Sequence, residues 1–313
     1  MNALSPAAPL AIVTGAAAGL GLAASRALAR QGYDLLLLDR DAPGGQKARD
    51  RLLRESPNQA VQFVDLDLAD PTAIAAFAGS LQHRSVDLLM NNAGLFPTFN
   101  RRENAQGCEL GLAVSFYGHF ALTARLLPNL LRASVPRVVT VSSIAHAGGR
   151  LDSRDPLLAQ DYDASRAYNA CKLACLLFAR ELHSQARQHR SHLRSIAAHP
   201  GIARTQIGQY RDNPATRPRH RAIGWATRIA MRYFGQDVEQ GAAALVFAAT
   251  EATLQGGEFV GPGGLFQFRG PPRVVQPRGA TLARHDADAI WRMAEEYTGL
   301  QFAWPGTTGE SIA

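Results

Sequence analysis

Six short apolar runs recur through the first 200 residues and leave the fold little freedom. They are LAIVT (Leu10–Thr14), DLLLLD (Asp34–Asp39), AVQFVDL (Ala60–Leu66), VDLLMNN (Val86–Asn92), RVVTVSS (Arg137–Ser143) and LRSIAAH (Leu193–His199). None shows the polar alternation of a half-exposed sheet, so each predicts a strand covered on both faces, as parallel strands are. Helical patterns lie between them, for example over 20–31 and 71–82. Strand and helix in alternation predict an α/β, doubly wound parallel sheet with helices on both faces and ligands at the carboxyl ends of its strands. GEFVGP (Gly257–Pro262) predicts a last strand, 270–279 a surface connection and 286–297 a closing helix. No Ser/Gly/Pro-rich linker interrupts the first 200 residues, so one domain over 1–313 is expected, with an extension over about 265–313.

The first strand runs directly into TGAAAGLG (Thr14–Gly21) and then a helix. Gly15, Gly19 and Gly21 at a first strand-to-helix junction let the backbone approach a pyrophosphate, which the helix N-terminus stabilises. This makes the sheet a Rossmann-type dinucleotide site. A nucleoside triphosphate site is disfavoured, because no Gly-Lys-Ser/Thr follows. The spacing GxxxGxG also disfavours a sugar-nucleotide epimerase or dehydratase. Asp39, eighteen residues past Gly21, ends the second strand, where a carboxylate accepts hydrogen bonds from the adenosine ribose hydroxyls. It would repel a 2′-phosphate and so favours NAD. Arg40 keeps NADP as the alternative, since a guanidinium grips such a phosphate bidentately. Ala18 supplies no second cation for it.

Composition narrows the remaining classes. Net charge is +7, and seven arginines fall over 204–232 with Asp212 the only acid. Basic clusters attract acidic ligands, anionic lipid or nucleic acid, and an ordinary solvated face is the plainer reading. No zinc-finger spacing or aromatic-interleaved basic motif favours nucleic acid. Three cysteines, Cys108, Cys171 and Cys175, make no disulfide framework, so a reducing, cytoplasmic setting is expected. Cys171 and Cys175 sit four apart on a helix without further ligands nearby, which favours packing over metal binding. The first fifteen residues hold neither a charged leader nor a long apolar run. No segment reaches about twenty uninterrupted apolar residues, so no transmembrane span is expected.

TGAAAGLG, NNAG (Asn91–Gly94), VSS (Val141–Ser143), YNACK (Tyr168–Lys172) and HPGIART (His199–Thr205) follow one another in the order and approximate spacing of the short-chain dehydrogenase/reductases. The resemblance covers about 10–264. AYNACKLACLLFARELH and the tail around GPGGLFQFRGPP look most like the retinol-dehydrogenase-like branch, which acts on apolar alcohols and carbonyls. The resemblance implies Tyr168 as general acid for reduction and general base for oxidation, since a carbonyl accepting hydride needs a proton. Lys172 would lower the tyrosine pKa by its charge and hold the nicotinamide ribose. Ser143 would hydrogen-bond the substrate oxygen. Ala18, Leu20, Asn91, Ala93 and Gly94 would wall the diphosphate and adenosine side, with Asp67 and Leu68 at the adenine and Asp65 close by. A helix N-cap is the alternative for Asp67. Pro200 and Gly201 would bend the chain around nicotinamide and Thr205 would meet its carboxamide, while His199 reads as structural.

In LAVSFYGHFALT (Leu112–Thr123), a helix apolar on nearly every side, Ser115 stands where this family carries a catalytic asparagine. A hydroxyl is shorter than an amide and offers one donor rather than two. Three readings follow: a functional substitute, slower or different chemistry, or a dinucleotide-binding scaffold that has lost turnover. The intact Ser143, Tyr168 and Lys172 favour a working enzyme. Residues 206–235 would form a helical substrate lid, lining an apolar pocket, touching a membrane surface peripherally, or packing on the domain with a basic outer face. The helix over 164–185 would pair with its twofold mate, as in family homodimers.

Overall fold

A computed structural model describes residues 8–57, 59–96, 98, 100–202, 236–278 and 284–305. The expected lid and Thr205 lie outside them. Strands β1 (Leu10–Thr14), β2 (Asp34–Asp39), β3 (Val61–Asp65), β4 (Leu88–Asn91), β5 (Arg137–Val141), β6 (Arg194–Ala198), β7 (Phe259–Pro262) and β8 (Pro272–Val274) form one sheet, ordered β3-β2-β1-β4-β5-β6-β7-β8. The first seven run parallel and β8 pairs antiparallel with β7. Strand order reverses between β1 and β4, which opens a crevice at their carboxyl ends.

Helices α1 (Gly19–Arg30), α2 (Ala42–Glu55) and α6 (Val238–Thr250) pack on one face of the sheet. Helices α3 (Pro71–Ser80), α4 (Leu110–Leu130), α5 (Ala164–Gln188) and α7 (Arg284–Thr298) cover the other. Their starts are written in the sequence: Asp41, Asp70 and Asp163 accept backbone N–H groups of the first turns of α2, α3 and α5. The cap of α3 is thus Asp70 and not Asp67. The buried carboxyl of Glu109 caps α4, accepting from Leu112 N at 2.7 Å, and burial raises its pKa.

Helix α4 is long and apolar enough to cross a membrane, yet it is buried within the fold. Residues Ala113–Gly118 make a π-helical segment within it, a local widening that often marks a functional site. Gly118 is needed there, because a Cβ would lie 2.3 Å from the Leu68 carbonyl oxygen. Two expectations are corrected. The third strand is half exposed at the sheet edge, not buried on both faces, and 270–279 contains strand β8 instead of only a connection.

Helix α5, expected to meet a twofold mate over 164–185, is covered together with α4 by the chain's own C-terminal region. Trp291 of α7 packs edge-on to Phe120, with centroids 5.1 Å apart, and stacks on Phe178 at 6.0 Å. Trp304 then lies parallel to His189 at 5.3 Å.

Candidate active site

The glycine turn follows from steric needs. Gly15 and Gly19 adopt left-handed backbone, φ +66° and +57°. A Cβ on Gly15 would lie 2.8 Å from the Ala93 Cα, and one on Gly21 only 2.1 Å from the Gly15 carbonyl oxygen. A Cβ on Gly19 would meet no other atom of the described residues within 4 Å. Two glycines therefore allow backbone to meet backbone, and the middle one leaves room for a ligand. Helix α1 starts at Ala18 with no side chain capping its first N–H groups. Such an end favours an anion.

A cleft of about 480 Å³ opens in front of this turn. Gly15, Ala18, Gly19, Leu20 and Gly21 line one wall, and Asp39 and Arg40 line it at the end of β2. Asp67, Leu68, Ala93 and Gly94 close the other side. The cleft thus gathers eleven of the expected cofactor residues and has the size, open turn and bare helix end of a dinucleotide site. Asp39 also builds the turn: its carboxylate accepts from Ala17 N and Asp41 N, both at 3.0 Å. Asp67 accepts from Ala69 N at 2.8 Å.

Asn91 departs from its expected place. It is buried at the end of β4 and donates to the Thr123 hydroxyl at 3.0 Å. Asn92 faces the cleft instead, because consecutive strand residues point to opposite sides. Its amide donates to the Thr14 carbonyl at 2.7 Å and tethers NNAG to the glycine turn.

Thr14 and His119, which carried no expected role, support this floor. The Thr14 hydroxyl accepts from Asn92 N and Ala93 N, both at 2.9 Å, and lies 2.8 Å from His119 Nε2. His119 Nδ1 lies 2.9 Å from the Ser115 carbonyl, which can only accept. The network therefore assigns a neutral imidazole, donating from Nδ1 and accepting the Thr14 proton at Nε2. Burial pushes the His119 pKa down to about 4; the Ser115 bond opposes this and the Lys172 charge adds to it. The signal was present in GHF, but its partner lies 105 residues away.

Three of the four catalytic candidates, Ser115, Tyr168 and Lys172, lie together beyond Gly94. Lys172 is buried, its ammonium donating to the Val141 carbonyl at 3.1 Å and lying 5.9 Å from the Tyr168 ring centroid. The Ser142 hydroxyl donates to the Lys172 carbonyl at 2.6 Å, fixing α5 to the end of β5. Ser143 caps the following turn, its hydroxyl accepting from Ala145 N at 3.2 Å. Gly149 lets that turn press on α5, where a Cβ would lie 2.6 Å from the Asn169 carbonyl oxygen. Phe96 packs on Tyr168 with centroids 4.7 Å apart.

Ser115 sits within the π-helical segment. Its carbonyl accepts from His119 Nδ1 and from the Cys175 thiol at 3.2 Å, while its buried hydroxyl has no hydrogen-bond partner among the described residues. The position of a Gly94 Cβ would be 3.3 Å from that hydroxyl and 3.4 Å from the Lys172 ammonium. Ser115 and Lys172 thus face the same small space. His199 is structural as expected: it accepts from Gly201 N at 3.2 Å and meets the Gln267 side-chain carbonyl at 3.1 Å. That places Pro200 and Gly201 at the carboxyl end of β6, outside the lining of the cleft.

The profile described as short chain dehydrogenase matches residues 9–215. The chain belongs to the short-chain dehydrogenase/reductase family. Its relatives place it in the retinol-dehydrogenase-like branch. Mouse polyprenol dehydrogenase is 35% identical over 257 residues, which are 79% of this chain and 73% of that protein. Human retinol dehydrogenase 13 is 35% identical over 64% of this chain and 60% of its own length. A crystal structure of an uncharacterised protein from Mycobacterium Paratuberculosis superposes with TM-score 0.75 at 30% identity, covering 96% of this chain and 99% of that one. Like other short-chain dehydrogenase/reductases, the chain is an oxidoreductase of alcohol and carbonyl groups, and its family binds nicotinamide dinucleotides.

Proposed function

We propose that this enzyme moves a hydride between a nicotinamide dinucleotide and an apolar alcohol or carbonyl, with Tyr168 as its general acid and base. The observation that carries this reading is the buried Lys172 ammonium, held at the Val141 carbonyl 5.9 Å from the Tyr168 ring centroid and next to Gly94 of the cleft. The cofactor supplies or accepts the hydride. Tyr168 gives its phenolic proton to the carbonyl oxygen during reduction and takes it back during oxidation. The Lys172 ammonium, pinned by the Val141 carbonyl, stabilises the phenolate. Ser143 fixes the substrate oxygen through its hydroxyl. Apolar substrates are supported by relatives named for polyprenol and retinol.

NAD is the preferred cofactor in this reading, because the Asp39 carboxylate lines the adenosine end of the cleft. NADP is the alternative through exposed Arg40. A homodimer would use a surface other than the α4–α5 face, which α7 occupies. Three buried free thiols fit a reducing, cytoplasmic setting.

The unpartnered Ser115 hydroxyl favours one second reading, a dinucleotide-binding scaffold with impaired turnover. Tyr168→Phe separates the two. Loss of turnover by about 10²- to 10⁴-fold with cofactor affinity retained supports the enzyme. Cofactor binding by the wild type, without turnover of any member of a panel of apolar alcohols and ketones, supports the scaffold.

A further inference from the structure

Beyond the end of β7 the chain forms a knuckle with an unusual surface. Leu265 is 78% exposed and Phe266 54% exposed, and Val274 of β8 adds a third apolar side chain at 47%. Phe266 and Gln267 both hold left-handed backbone, φ +53° and +61°. A bulky aromatic residue is unfavourable there, so the surroundings must impose the conformation. The base of the knuckle supplies that constraint. Gly264 N donates to the Arg269 carbonyl at 3.0 Å, and the Gln267 amide donates to the Gln276 carbonyl at 3.1 Å. The base is tied down and the apolar tip stands in water.

The charged residues of this stretch share one sign. No acidic residue occurs between Glu258 and Asp286, whereas Arg269, Arg273 and Arg278 surround the knuckle, all exposed. None of the three is in an ion pair among the described residues, and the Arg278 guanidinium lies 5.9 Å from the Phe266 ring centroid. The knuckle is also tied to the chain that leaves β6. The Phe268 carbonyl accepts from Ile202 N at 2.9 Å, directly after Gly201.

We propose that the Leu265–Phe266 knuckle is a docking point for an anionic lipid bilayer. Leucine and phenylalanine enter the boundary between headgroups and acyl chains, while the arginines meet the lipid phosphates. A second copy of this chain fits less well. Three apolar side chains fall far short of the roughly 800 Å² that each partner buries in a stable interface, and a twofold contact would oppose arginine to arginine. The docking chemistry stands on these residues alone. Its purpose, admitting an apolar substrate from the membrane beside the active site, rests on the function proposed above.

Flotation of the full chain with vesicles tests it. Vesicles of phosphatidylcholine containing one third phosphatidylserine should carry the protein at low salt, and phosphatidylcholine alone should not. Leu265→Ser with Phe266→Ser should lower partitioning at least tenfold, an order-of-magnitude expectation for two lost insertions. Arg269→Gln with Arg273→Gln should lower it by roughly tenfold or more. Both double variants should keep wild-type turnover of a short, water-soluble ketone, which shows that they fold. Absence of wild-type flotation, or partitioning unchanged in both variants, overturns the proposal. So does self-association of the wild type that the Leu265/Phe266 variant abolishes. Flotation lost in the variants, together with wild-type activity confined to polar substrates, keeps the docking site and removes the apolar-substrate reading.

Discussion

The Thr14 hydroxyl and the His119 imidazole meet at 2.8 Å beneath the cofactor cleft. Through this contact the end of β1, the NNAG loop and the π-helical segment of α4 share one hydrogen-bond network. Thr14→Val keeps the shape and removes the hydroxyl. Ala93 N then loses its acceptor and His119 Nε2 its donor, at about 1–3 kcal/mol for each group left unmet, while Asn92 N keeps the Met90 carbonyl at 3.0 Å. A loss of roughly 2–4 kcal/mol is expected in urea unfolding, seen as a lower midpoint at constant slope. Cofactor titration should show weaker binding, because Ala93 lines the cleft. A variant with wild-type stability would mean that the network does not bear on the fold.

Burial of neutral histidines makes the protein acid-sensitive. His119 and His199 each have pKa values pushed down from 6.5 to about 4, chiefly by burial. Their lowered folded values mean that the unfolded chain binds more protons between these limits. Stability is therefore highest above pH 6.5 and falls as pH drops towards 4. Each histidine costs roughly 2 kcal/mol by pH 5. Melting temperature measured from pH 7.5 to 4.5 should fall, and more gently in His119→Gln. A flat profile would show that these imidazoles are accessible to protons in the folded state.

Asp39 has two tasks, and one substitution reads both. Its carboxylate lines the cleft, where the proposed function puts the adenosine ribose, and accepts from Ala17 N and Asp41 N. Asp39→Ala removes the repulsion towards a 2′-phosphate and leaves Arg40 in place. NAD affinity should drop about tenfold, the value of roughly one charge-assisted hydrogen bond, while NADP affinity holds or rises. A lower melting temperature should accompany it, since the turn loses an acceptor. Parallel weakening of both cofactors would mean that Asp39 shapes the turn without choosing the ribose.

Much of this candidate site was legible because the residues proposed to carry its chemistry lie close in sequence. The glycine turn, Asp39, NNAG, Ser143 and the Tyr168–Lys172 pair each lie at a strand end or on one helix face, where spacing fixes geometry. What sequence hid depends on parity and on distant partners. Asn91 and Asn92 differ by one residue at a strand end, and that step sends one side chain into the core and the other to the cleft. His119 gains its meaning only from Thr14, on another element. The third strand reads as buried from composition, but a place at the sheet edge is set by strand order. Strand β8 is three residues long and contains proline, below what periodicity detects.

Ser115 offers a test that separates fold from catalysis. Its hydroxyl is buried without a protein partner and faces the same space as Lys172. Ser115→Ala deletes only that hydroxyl, and the carbonyl bonds to His119 and Cys175 remain. Removing an unpaired buried hydroxyl should leave stability equal or raise it by about 1 kcal/mol. If the hydroxyl serves proton exchange at Lys172, turnover should fall severalfold and the pH–rate profile should shift. Unchanged rate and profile would make Ser115 a small core residue.

The C-terminal helix should bear weight out of proportion to its length. Trp291 packs on Phe120, Phe178 and Phe302, and its indole N–H donates to Glu295 at 3.0 Å. Trp291→Ala opens a cavity beside three aromatic rings, and losses of about 3–5 kcal/mol are expected for truncations of this kind. It also loosens the cover on the α4–α5 face, where Phe120 and Phe178 lie. Exposed aromatic surface of that extent seeks a partner, so sedimentation of the variant should show association that rises with concentration. The wild type should show none through this face. Unchanged stability and sedimentation in Trp291→Ala would mean that α7 rests on the fold without closing it.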